Sequence, residues 1–312
     1  KANGDEPYVW GQVMEGGTGA STHVMFHPTE KGLVYLGTDM GGMYRWNDDT
    51  YTWTPLIDTI ADEKHGHWLG VDSIAPDPNN PDIVYAAVGT SPNKGVAHLG
   101  AVIKSYDRGD TWVETGFTGY FGANFNQRSV GECVGVDPGN SNNVWVASYN
   151  GGGLVRSYDG LKTWENVELP VELSGNTIIP RVIAFDPTTK TPNGCTRIYV
   201  SVYGIGLLVS EDGGETFSVI ENCPAKNVYH VRFSNDGTTA VSTSIGLFIY
   251  NRKDGSWKEI SPVHGKKFSE VAISGLTSAY KVPYDAIDLL SGISQGYSLD
   301  KAIEIYNEKF DL

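Results

Sequence analysis

A single carboxylate, Asp39, stands in the segment GTDMGGMYRW at residues 37–46, between an apolar run and a pair of glycines. The run at residues 32–37 predicts a strand, so Asp39 occupies the loop that follows it. A carboxylate in such a loop can accept backbone N–H groups within a turn, or it can act as a general base that takes a proton from water. Repeats within the chain separate these two interpretations.

One octapeptide pattern occurs three times, as SYDRGDTW from residue 105, SYDGLKTW from residue 157 and SEDGGETF from residue 210. These segments follow the pattern SxDxGxTW of the Asp-box, and we call them the Asp-box turns. In such a turn the carboxylate accepts backbone N–H groups, glycine takes a positive φ and the aromatic ring anchors the turn. Because Asp107, Asp159 and Asp212 recur once per repeat in nearly the same context, we assign them an architectural role.

A second marker has the same period of about fifty residues. Short apolar runs end at His27-Pro28, Asp77-Pro78, Asp137-Pro138 and Asp186-Pro187, and Asn235-Asp236 takes the fifth place. Each unit holds four short runs rich in Val, Ile, Tyr and Phe, which is the pattern of a propeller blade. The sequence therefore predicts an all-β fold, a β-propeller of four-stranded antiparallel blades. Five blades end near Trp53, Trp112, Trp164, Phe217 and Trp257.

The segment KKFSEVAIS at residues 266–274 predicts the first strand of a sixth blade, so residues 1–274 form the propeller. Residues 275–312 lose the strand pattern. Their apolar residues, among them Ile287, Leu290 and Ile293, follow helical spacing, and Ser298 suits a helix N-cap. We expect a short helical tail of unknown origin.

Propeller connectivity places Asp39 on a defined face. Turns from the first to the second strand and from the third to the fourth share one face with the Asp-box turns, which we call the Asp-box face. The other connections form the opposite face, which we call the loop face. The loops between the second and third strands can be aligned on Gly42, Gly153, Gly206 and Gly246. In this alignment the position of Asp39 is taken by Asn150, Tyr203 and Thr243 in the other blades. A carboxylate is therefore not a general need of this turn, which favours a functional Asp39, although Asn150 leaves a turn role open.

The loop face is also rich in aromatic and amide residues, which suit the apolar faces and hydroxyls of sugar rings. The alternative for each aromatic residue is packing between blades. The candidate binding residues are His67, Trp68, Tyr120, Phe121, Asn124, Tyr149, Asn150 and Tyr203.

Composition excludes several kinds of partner. The formal charge of −14 argues against nucleic acid or an anionic membrane surface. The three cysteines show no metal-ligand spacing, so we expect no metal and no cofactor, with at most a Cys195–Cys223 bridge. The apolar runs are shorter than a bilayer span, and the first residues do not resemble a signal peptide, so any such peptide has been removed.

The sequence resembles glycoside hydrolase family 74, the xyloglucanases. The resemblance runs through YVWGQV at residues 8–13, MFHPTEKGLVYLGTDMGGMYRW at residues 25–46, WLGVDSIAPDP at residues 68–78 and GANFNQRSVGECVGVDP at residues 122–138. It implies a secreted endo-β-1,4-glucanase that cleaves xyloglucan with inversion, in a cleft between two seven-bladed propellers. The aspartate of the motif TDxGG, here Asp39, would be the general base.

The same resemblance places the general acid on a second propeller, which we expect outside this chain. Asp72 and Glu132 are the nearest substitutes within the chain, but each begins an inner strand, which favours a structural hydrogen bond. The alternative function is a non-catalytic propeller that binds glycan or protein on the loop face. A second carboxylate near Asp39 would discriminate between the two functions.

Overall fold

The computed structural model describes residues 19–60, 65–91, 99–125, 132–149, 152–171, 179–234 and 237–260. The predicted sixth-blade strand, the helical tail and Asn150 lie outside these residues. Within them the fold is all-β, with five four-stranded antiparallel blades and three short 3₁₀-helices. The predicted propeller architecture is therefore confirmed.

The strands follow the predicted order, and in each blade they pair with the next strand along the blade. Blade 1 consists of β1 (Ser21–Phe26), β2 (Val34–Thr38), β3 (Met43–Asn47) and β4 (Thr52–Pro55). Blade 2 consists of β5 (Val71–Pro76), β6 (Val84–Val88), β7 (Gly100–Ser105) and β8 (Val113–Gly119). Blade 3 consists of β9 (Val134–Val136), β10 (Val144–Ser148), β11 (Gly153–Ser157) and β12 (Glu165–Val167).

Blade 4 begins with β13 (Pro180–Phe185), and its first turn carries a small hairpin of β14 (Lys190–Thr191) and β15 (Gly194–Cys195). It continues with β16 (Ile198–Val202), β17 (Gly206–Ser210) and β18 (Ser218–Val219). Blade 5 consists of β19 (Val228–Phe233), β20 (Thr239–Thr243), β21 (Gly246–Asn251) and β22 (Ser256–Glu259). The 3₁₀-helices are Asp58–Ile60, Gly66–Leu69 and Pro187–Thr189.

The core lies between neighbouring blades. The second strands of blades 1 to 4 are buried along their whole length, and those of blades 2 to 4 have a neighbouring blade on each face. This explains why they read as continuous apolar runs, as strands buried on both faces do. The fourth strands are largely exposed; examples are Glu165 and Asn166 in β12 and both residues of β18.

The innermost strands share an irregularity at their starts. The pairing shifts by one residue at Thr22 in β1, at Asp72 in β5, at Arg181 in β13 and at Tyr229 in β19. Such a bulge re-aims the extra side chain and breaks the regular alternation. Sequence patterns do not predict it because register depends on the partner strand.

All three Asp-box turns form the same hydrogen bonds. In the second blade the Asp107 carboxylate accepts the Thr111 backbone N–H at 2.8 Å and the Thr111 hydroxyl at 2.6 Å, while Ser105 donates to it at 2.7 Å. Asp159 and Asp212 make the equivalent bonds to Thr163 and Thr216. The hydrogen bonds of these carboxylates are thus used within the turn.

The three cysteines are free thiols, so the Cys195–Cys223 bridge that the sequence left open is not formed. Cys195 lies in the first turn of blade 4, on the Asp-box face. Cys223 follows β18 and donates to the Ala225 carbonyl at 3.3 Å, on the loop face. The thickness of the blade separates the two sulfur atoms.

Candidate functional site

Asp39 lies in the loop between β2 and β3. Its Oδ1 accepts the Ala20 backbone N–H at 2.8 Å, and its own N–H donates to the Ala20 carbonyl at 3.0 Å. Gly19 has φ +128°, and a Cβ there would lie 2.5 Å from Asp39 Oδ1. The chain that enters β1 is therefore shaped around this carboxylate.

Asp39 is only 6% exposed. The side chain is therefore largely covered by protein and is not open to solvent, as a functional residue on the loop face would be expected to be. Burial of a carboxylate carries a desolvation cost that hydrogen bonds must offset, and the Ala20 N–H supplies one of them. The position is thus both structurally constrained and polar.

Contacts between neighbouring connections confirm the two faces. On the loop face, the Gly42 N–H donates to the Leu69 carbonyl at 2.8 Å, which ties the Asp39 loop to the connection between blades 1 and 2. On the Asp-box face, the Tyr35 hydroxyl and Arg45 Nη1 donate to the Arg108 carbonyl at 3.2 and 2.9 Å. Asp39 is therefore on the face opposite the Asp-box turns.

Part of the predicted binding surface is brought together beside Asp39. Asn124 is exposed, and its Nδ2 donates to the Met40 sulfur at 3.2 Å. Met40 itself is 52% exposed and adjoins Asp39 in the chain. Asn124 from the second blade thus meets the Asp39 loop of the first blade.

The other exposed or half-buried candidates lie on the same face at separate places. His67 is half-buried, and its Nε2 forms a hydrogen bond with the Leu99 carbonyl at 2.8 Å. Tyr120 is half-buried and anchored by its backbone N–H to Ser148 Oγ at 2.9 Å. Tyr203 is 38% exposed and lies in the second-to-third loop of blade 4.

Three predicted binding residues are buried, which corrects their assignment. Trp68 is 5%, Phe121 0% and Tyr149 2% exposed. Trp68 packs in the core between blades 1 and 2, and Phe121 packs in the core between blades 2 and 3. A ring whose faces are covered by protein cannot stack on a sugar.

Tyr149 has a different reason for its burial. The Arg181 guanidinium stacks on its ring, with Cζ 4.4 Å from the ring centre. The same guanidinium forms two hydrogen bonds with the Asp72 carboxylate, at 2.9 and 3.2 Å. Burial favours the uncharged form of Arg181, but the charge of Asp72 outweighs it, and the pKa of Arg181 is raised above its usual value.

Asp72 and Glu132, the substitutes considered for the general acid, are both paired and buried. Asp72 also accepts the Gly122 N–H at 3.1 Å. Glu132 Oε1 accepts a hydrogen bond from Arg232 and lies 3.6 Å from His230 Nδ1. A carboxylate held by a guanidinium is an acceptor, which is the structural use that the sequence favours for both residues.

Arg181 is a residue that sequence reasoning missed. It is a lone charge inside the otherwise apolar run PRVIAF, and it occupies the same place as Asp72 and Glu132 when counted back from the Asp-Pro turn of each repeat. Comparing the repeats at this one position would have revealed two acids and one base. The charged residues at this repeat position are visible in the sequence. That Asp72 and Arg181 pair with each other follows only from the way the innermost strands converge in the fold.

A second carboxylate on the loop face was also missed. Asp58 is exposed, and its Oδ1 lies 3.3 Å from the position that a Cβ on Gly42 would take. It belongs to the 3₁₀-helix that follows blade 1. It has no marker in the sequence because it stands alone in a long connection.

Among the described residues, no group of three or more His, Cys, Asp or Glu side chains could hold a metal ion. The same part of the chain contains no helix that is long and apolar enough to cross a membrane. The functional groups described on the loop face are the carboxylates of Asp39 and Asp58, the amide of Asn124, the thioether of Met40 and the rings of His67, Tyr120 and Tyr203.

Comparison with known proteins identifies relatives. No family model matches the sequence. A xyloglucanase from Paenibacillus sp is 34% identical over 285 residues, covering 83% of this chain and 28% of the relative. A xyloglucanase from Hypocrea jecorina is 34% identical over 289 residues, covering 83% of this chain and 34% of the relative.

Comparison with solved structures finds the same kind of protein as the sequence comparison. The structure of the GH74 xyloglucanase from Xanthomonas campestris superposes with a TM-score of 0.70 at 31% identity, covering 82% of this chain and 40% of that chain. The present chain thus spans about a third of the length of the curated relatives it matches.

Proposed function

Since the chain is a homologue of the glycoside hydrolase family 74 xyloglucanases, we propose that it forms one wall of a site that hydrolyses the β-1,4-glucan backbone of xyloglucan. In this proposal Asp39 is the general base. The observation that supports it most is the placement of Asp39 on the loop face, hydrogen-bonded through Oδ1 and directly beside the exposed Met40–Asn124 contact. Because the substrate is an extracellular polymer, the protein would act outside the cell.

The chemistry is hydrolysis with inversion. One carboxylate takes a proton from water as the water attacks the anomeric carbon, and a protonated acid about 6.5–9.5 Å away gives a proton to the departing glycosidic oxygen. Asp39 supplies the first function. Fixing the carboxylate through Ala20 would orient its oxygen atoms before substrate binds, which lowers the cost of reaching the transition state.

The general acid would come from outside this chain, from a second propeller facing the loop face. Asp72 and Glu132 are buried and engaged with Arg181 and Arg232, so their oxygen atoms are already occupied by the fold. Within the described residues, Asp58 is the exposed carboxylate near the Asp39 loop. It is the first residue to test if this chain alone hydrolyses xyloglucan at full rate.

The substrate surface in this proposal is smaller than the eight residues predicted from the sequence. It consists of Met40, Asn124, Tyr203, His67 and Tyr120, which are exposed or half-buried on the loop face. Asn124 would hydrogen-bond sugar hydroxyls, and Tyr203 would cover an apolar ring face. Trp68, Phe121 and Tyr149 would support these residues from below.

The decisive experiment replaces Asp39 by Ala in a protein that carries this chain and cleaves xyloglucan. We expect turnover to fall by about 10²–10⁴-fold, because the proton acceptor is lost. Azide, which needs no general base, should restore part of the rate to Asp39→Ala and form a glycosyl azide. The matched control is Asp49→Ala, which removes an exposed carboxylate from the opposite face of the same blade.

Retention of full activity in Asp39→Ala would contradict the catalytic role. The second candidate function, a non-catalytic propeller that binds glycan or protein, would then be the better one. The burial of Asp39 and the pairing of Asp72 and Glu132 are the observations that favour it. The binding function would be supported if a protein that contains this chain binds xyloglucan oligosaccharide without hydrolysing it.

A further inference from the structure

An open cleft of about 340 Å³ lies on the Asp-box face, between blades 1 and 2. Its walls are the first turn of blade 1 with Lys31, the third strand of blade 1 with Arg45 and Trp46, and the Asp-box turn of blade 2 with Arg108 and Asp110. Its volume falls within the range of small-molecule sites, about 300–1,000 Å³. It is on the face opposite Asp39, so the proposed hydrolysis does not account for it.

Some of the lining is explained by the architecture. Arg45 Nη1 donates to the Arg108 carbonyl at 2.9 Å, and its Nη2 lies 3.0 Å from Asp110 Oδ1. Arg156 makes the equivalent contacts in blade 3, with the Gly214 carbonyl at 3.1 Å and Glu215 at 2.9 Å. Because the same arginine contact occurs between two pairs of neighbouring blades, we assign it to holding the blades together. It does not by itself indicate a ligand.

Other lining residues depart from the repeat. Trp46 stands seven residues before Trp53, where the Asp-box turns have the buried serines Ser105, Ser157 and Ser210. Lys31 stands three residues before its second strand, where blade 3 has Ser141. Blade 5, which also lacks an Asp-box, has Tyr250 seven residues before Trp257, with the two ring centroids 4.5 Å apart. An aromatic ring at this place thus belongs to the blades without an Asp-box, and blade 1 differs in combining an indole with the Lys31 ammonium group in one cleft.

The departures are positioned by specific contacts. The Trp46 indole N–H donates to Asp48 Oδ1 at 2.5 Å, and its ring packs edge-on against Trp53 with centroids 5.3 Å apart. Gly32 has φ +82°, and a Cβ there would lie 3.0 Å from Asp48 Oδ2. A larger residue at position 32 would push against Asp48 and narrow the cleft.

We propose that this cleft is a second saccharide-binding site, which takes a neutral oligosaccharide across the Trp46 indole. Hydroxyls act as donors and acceptors at once, and the cleft offers both, with Lys31 and Arg108 as donors and Asp48 and Asp110 as acceptors. The indole supplies an apolar surface for the C–H face of a sugar ring. The cations of the lining are balanced, since Arg45 is paired with Asp110 and Arg108 with Asp82 and Glu30, while Asp48 lies in the same lining as Lys31. A cleft without excess charge of either sign fits a neutral sugar.

The test is calorimetric titration of the 312-residue chain with cellohexaose, using a double variant Asn124→Ala/Tyr203→Ala to weaken the loop face. We expect Trp46→Ala to reduce the remaining affinity by at least about tenfold and Lys31→Gln by about threefold. Lys190→Gln is the matched control, because Lys190 is exposed on the same face in blade 4. Asp39→Asn should leave this binding unchanged, so the result does not depend on the proposed catalysis.

Three outcomes would overturn the proposal. The first is an affinity within twofold of the parent in a folded Lys31→Gln protein together with unchanged binding in Trp46→Ala. The second is complete loss of cellohexaose binding in the Asn124→Ala/Tyr203→Ala parent. The third is tighter binding of hexagalacturonate than of cellohexaose, which would show that the cleft selects an anionic ligand. Should Trp46→Ala unfold, Lys31→Gln, whose side chain is exposed, decides alone.

Discussion

Exposure decides what an aromatic residue on the loop face can do. Tyr203 and Phe121 are both aromatic residues in loop-face connections, yet Tyr203 is partly open and Phe121 is completely covered. The hydrophobic contribution of a fully buried ring belongs to folding, whereas an exposed ring can transfer its apolar surface to a ligand. Composition alone cannot separate these two uses.

The pair gives a direct prediction. Tyr203→Ala should weaken binding of a xyloglucan oligosaccharide several-fold and leave the melting temperature almost unchanged. Phe121→Ala should lower the free energy of unfolding by about 3–5 kcal/mol, because it opens a cavity between blades 2 and 3. Urea denaturation and calorimetric titration measure the two quantities. Equal losses of stability in both variants would contradict the assignment of Tyr203 to the surface.

For the candidate site, the sequence predicted which connections the residues occupy but not how their side chains are oriented. Repeat alignment placed Asp39, Asn124 and Tyr203 in the correct connections and on one face. It did not show that the 3₁₀-helix at Gly66–Leu69 turns Trp68 inward against Ile57 and Ile103. Burial of a loop residue depends on packing against a neighbouring blade, and a single strand pattern contains no information on that neighbour.

A half-buried histidine with an enclosed ring nitrogen gives the fold a pH dependence at the residue scale. Burial, aided by the charge of His230 and opposed by that of Asp72, lowers the pKa of His23 from 6.5 to about 4. Between these values the unfolded chain binds a proton that the folded chain does not, so stability falls as pH falls from 6.5 towards 4. The full difference corresponds to about 3 kcal/mol.

Thermal unfolding between pH 7.0 and 4.5 tests this expectation. His23→Gln should show a smaller fall in melting temperature over that range than the parent protein. Parallel slopes for His23→Gln and the parent would show that other groups carry the acid sensitivity. Asp159 and Asp212, with pKa values of about 2, lose their charge only below this range.

At the scale of elements, the Asp-box turn is a closed hydrogen-bonded unit whose ring fixes it to the blade. Arg108 and Leu161 adopt positive φ in these turns, at 61° and 67°, which side chains other than glycine rarely do. The carboxylate and hydroxyl bonds within each turn stabilise this backbone. The aromatic ring at the end of the unit differs in burial from one turn to the next.

We therefore predict different costs for two chemically identical changes. Trp112 packs on the core between blades 1 and 2, so Trp112→Ala should lower the free energy of unfolding by about 3–5 kcal/mol. Trp164 is 43% exposed and contacts Phe117 at its edge, so Trp164→Ala should cost clearly less. Chemical denaturation compares them, with oligosaccharide affinity at the loop face measured in parallel. A loss of that affinity with unchanged stability in Trp112→Ala would reverse the architectural reading.

The elements themselves were well predicted because a repeat reports the same structure several times. Five blades, their order and the position of each turn followed from the Asp-Pro and Asp-box markers. The β14–β15 hairpin and the bulges at Asp72 and Arg181 did not, since the first occurs in one blade only and the second are defined by pairing. The local sequence predicts that a strand forms, whereas the position of a bulge depends on how that strand pairs with its neighbour.

At the scale of the whole molecule, charged side chains link blades that are not neighbours. Asp72 of blade 2 meets Arg181 of blade 4, and Glu132 at the start of blade 3 meets Arg232 of blade 5. These pairs bring together the innermost strands, where the bulges aim side chains inward. We expect the buried, bidentate Asp72–Arg181 pair to help fix how blades 2 and 4 are placed relative to each other.

Charge compensation in the Asp72–Arg181 pair can be separated from packing by mutation. Arg181→Met should lower the free energy of unfolding by about 3–5 kcal/mol, because it leaves the Asp72 carboxylate buried without its partner. Asp72→Asn/Arg181→Met should recover much of that loss, since an amide carries no charge and still accepts the Gly122 N–H. Arg156→Met is the control: its partners Glu165 and Glu215 are exposed, and such pairs contribute about 0–1 kcal/mol. Urea denaturation of the four proteins completes the comparison. A double variant no more stable than Arg181→Met would show that packing of the Arg181 side chain against Tyr149, and not charge compensation, joins blades 2 and 4.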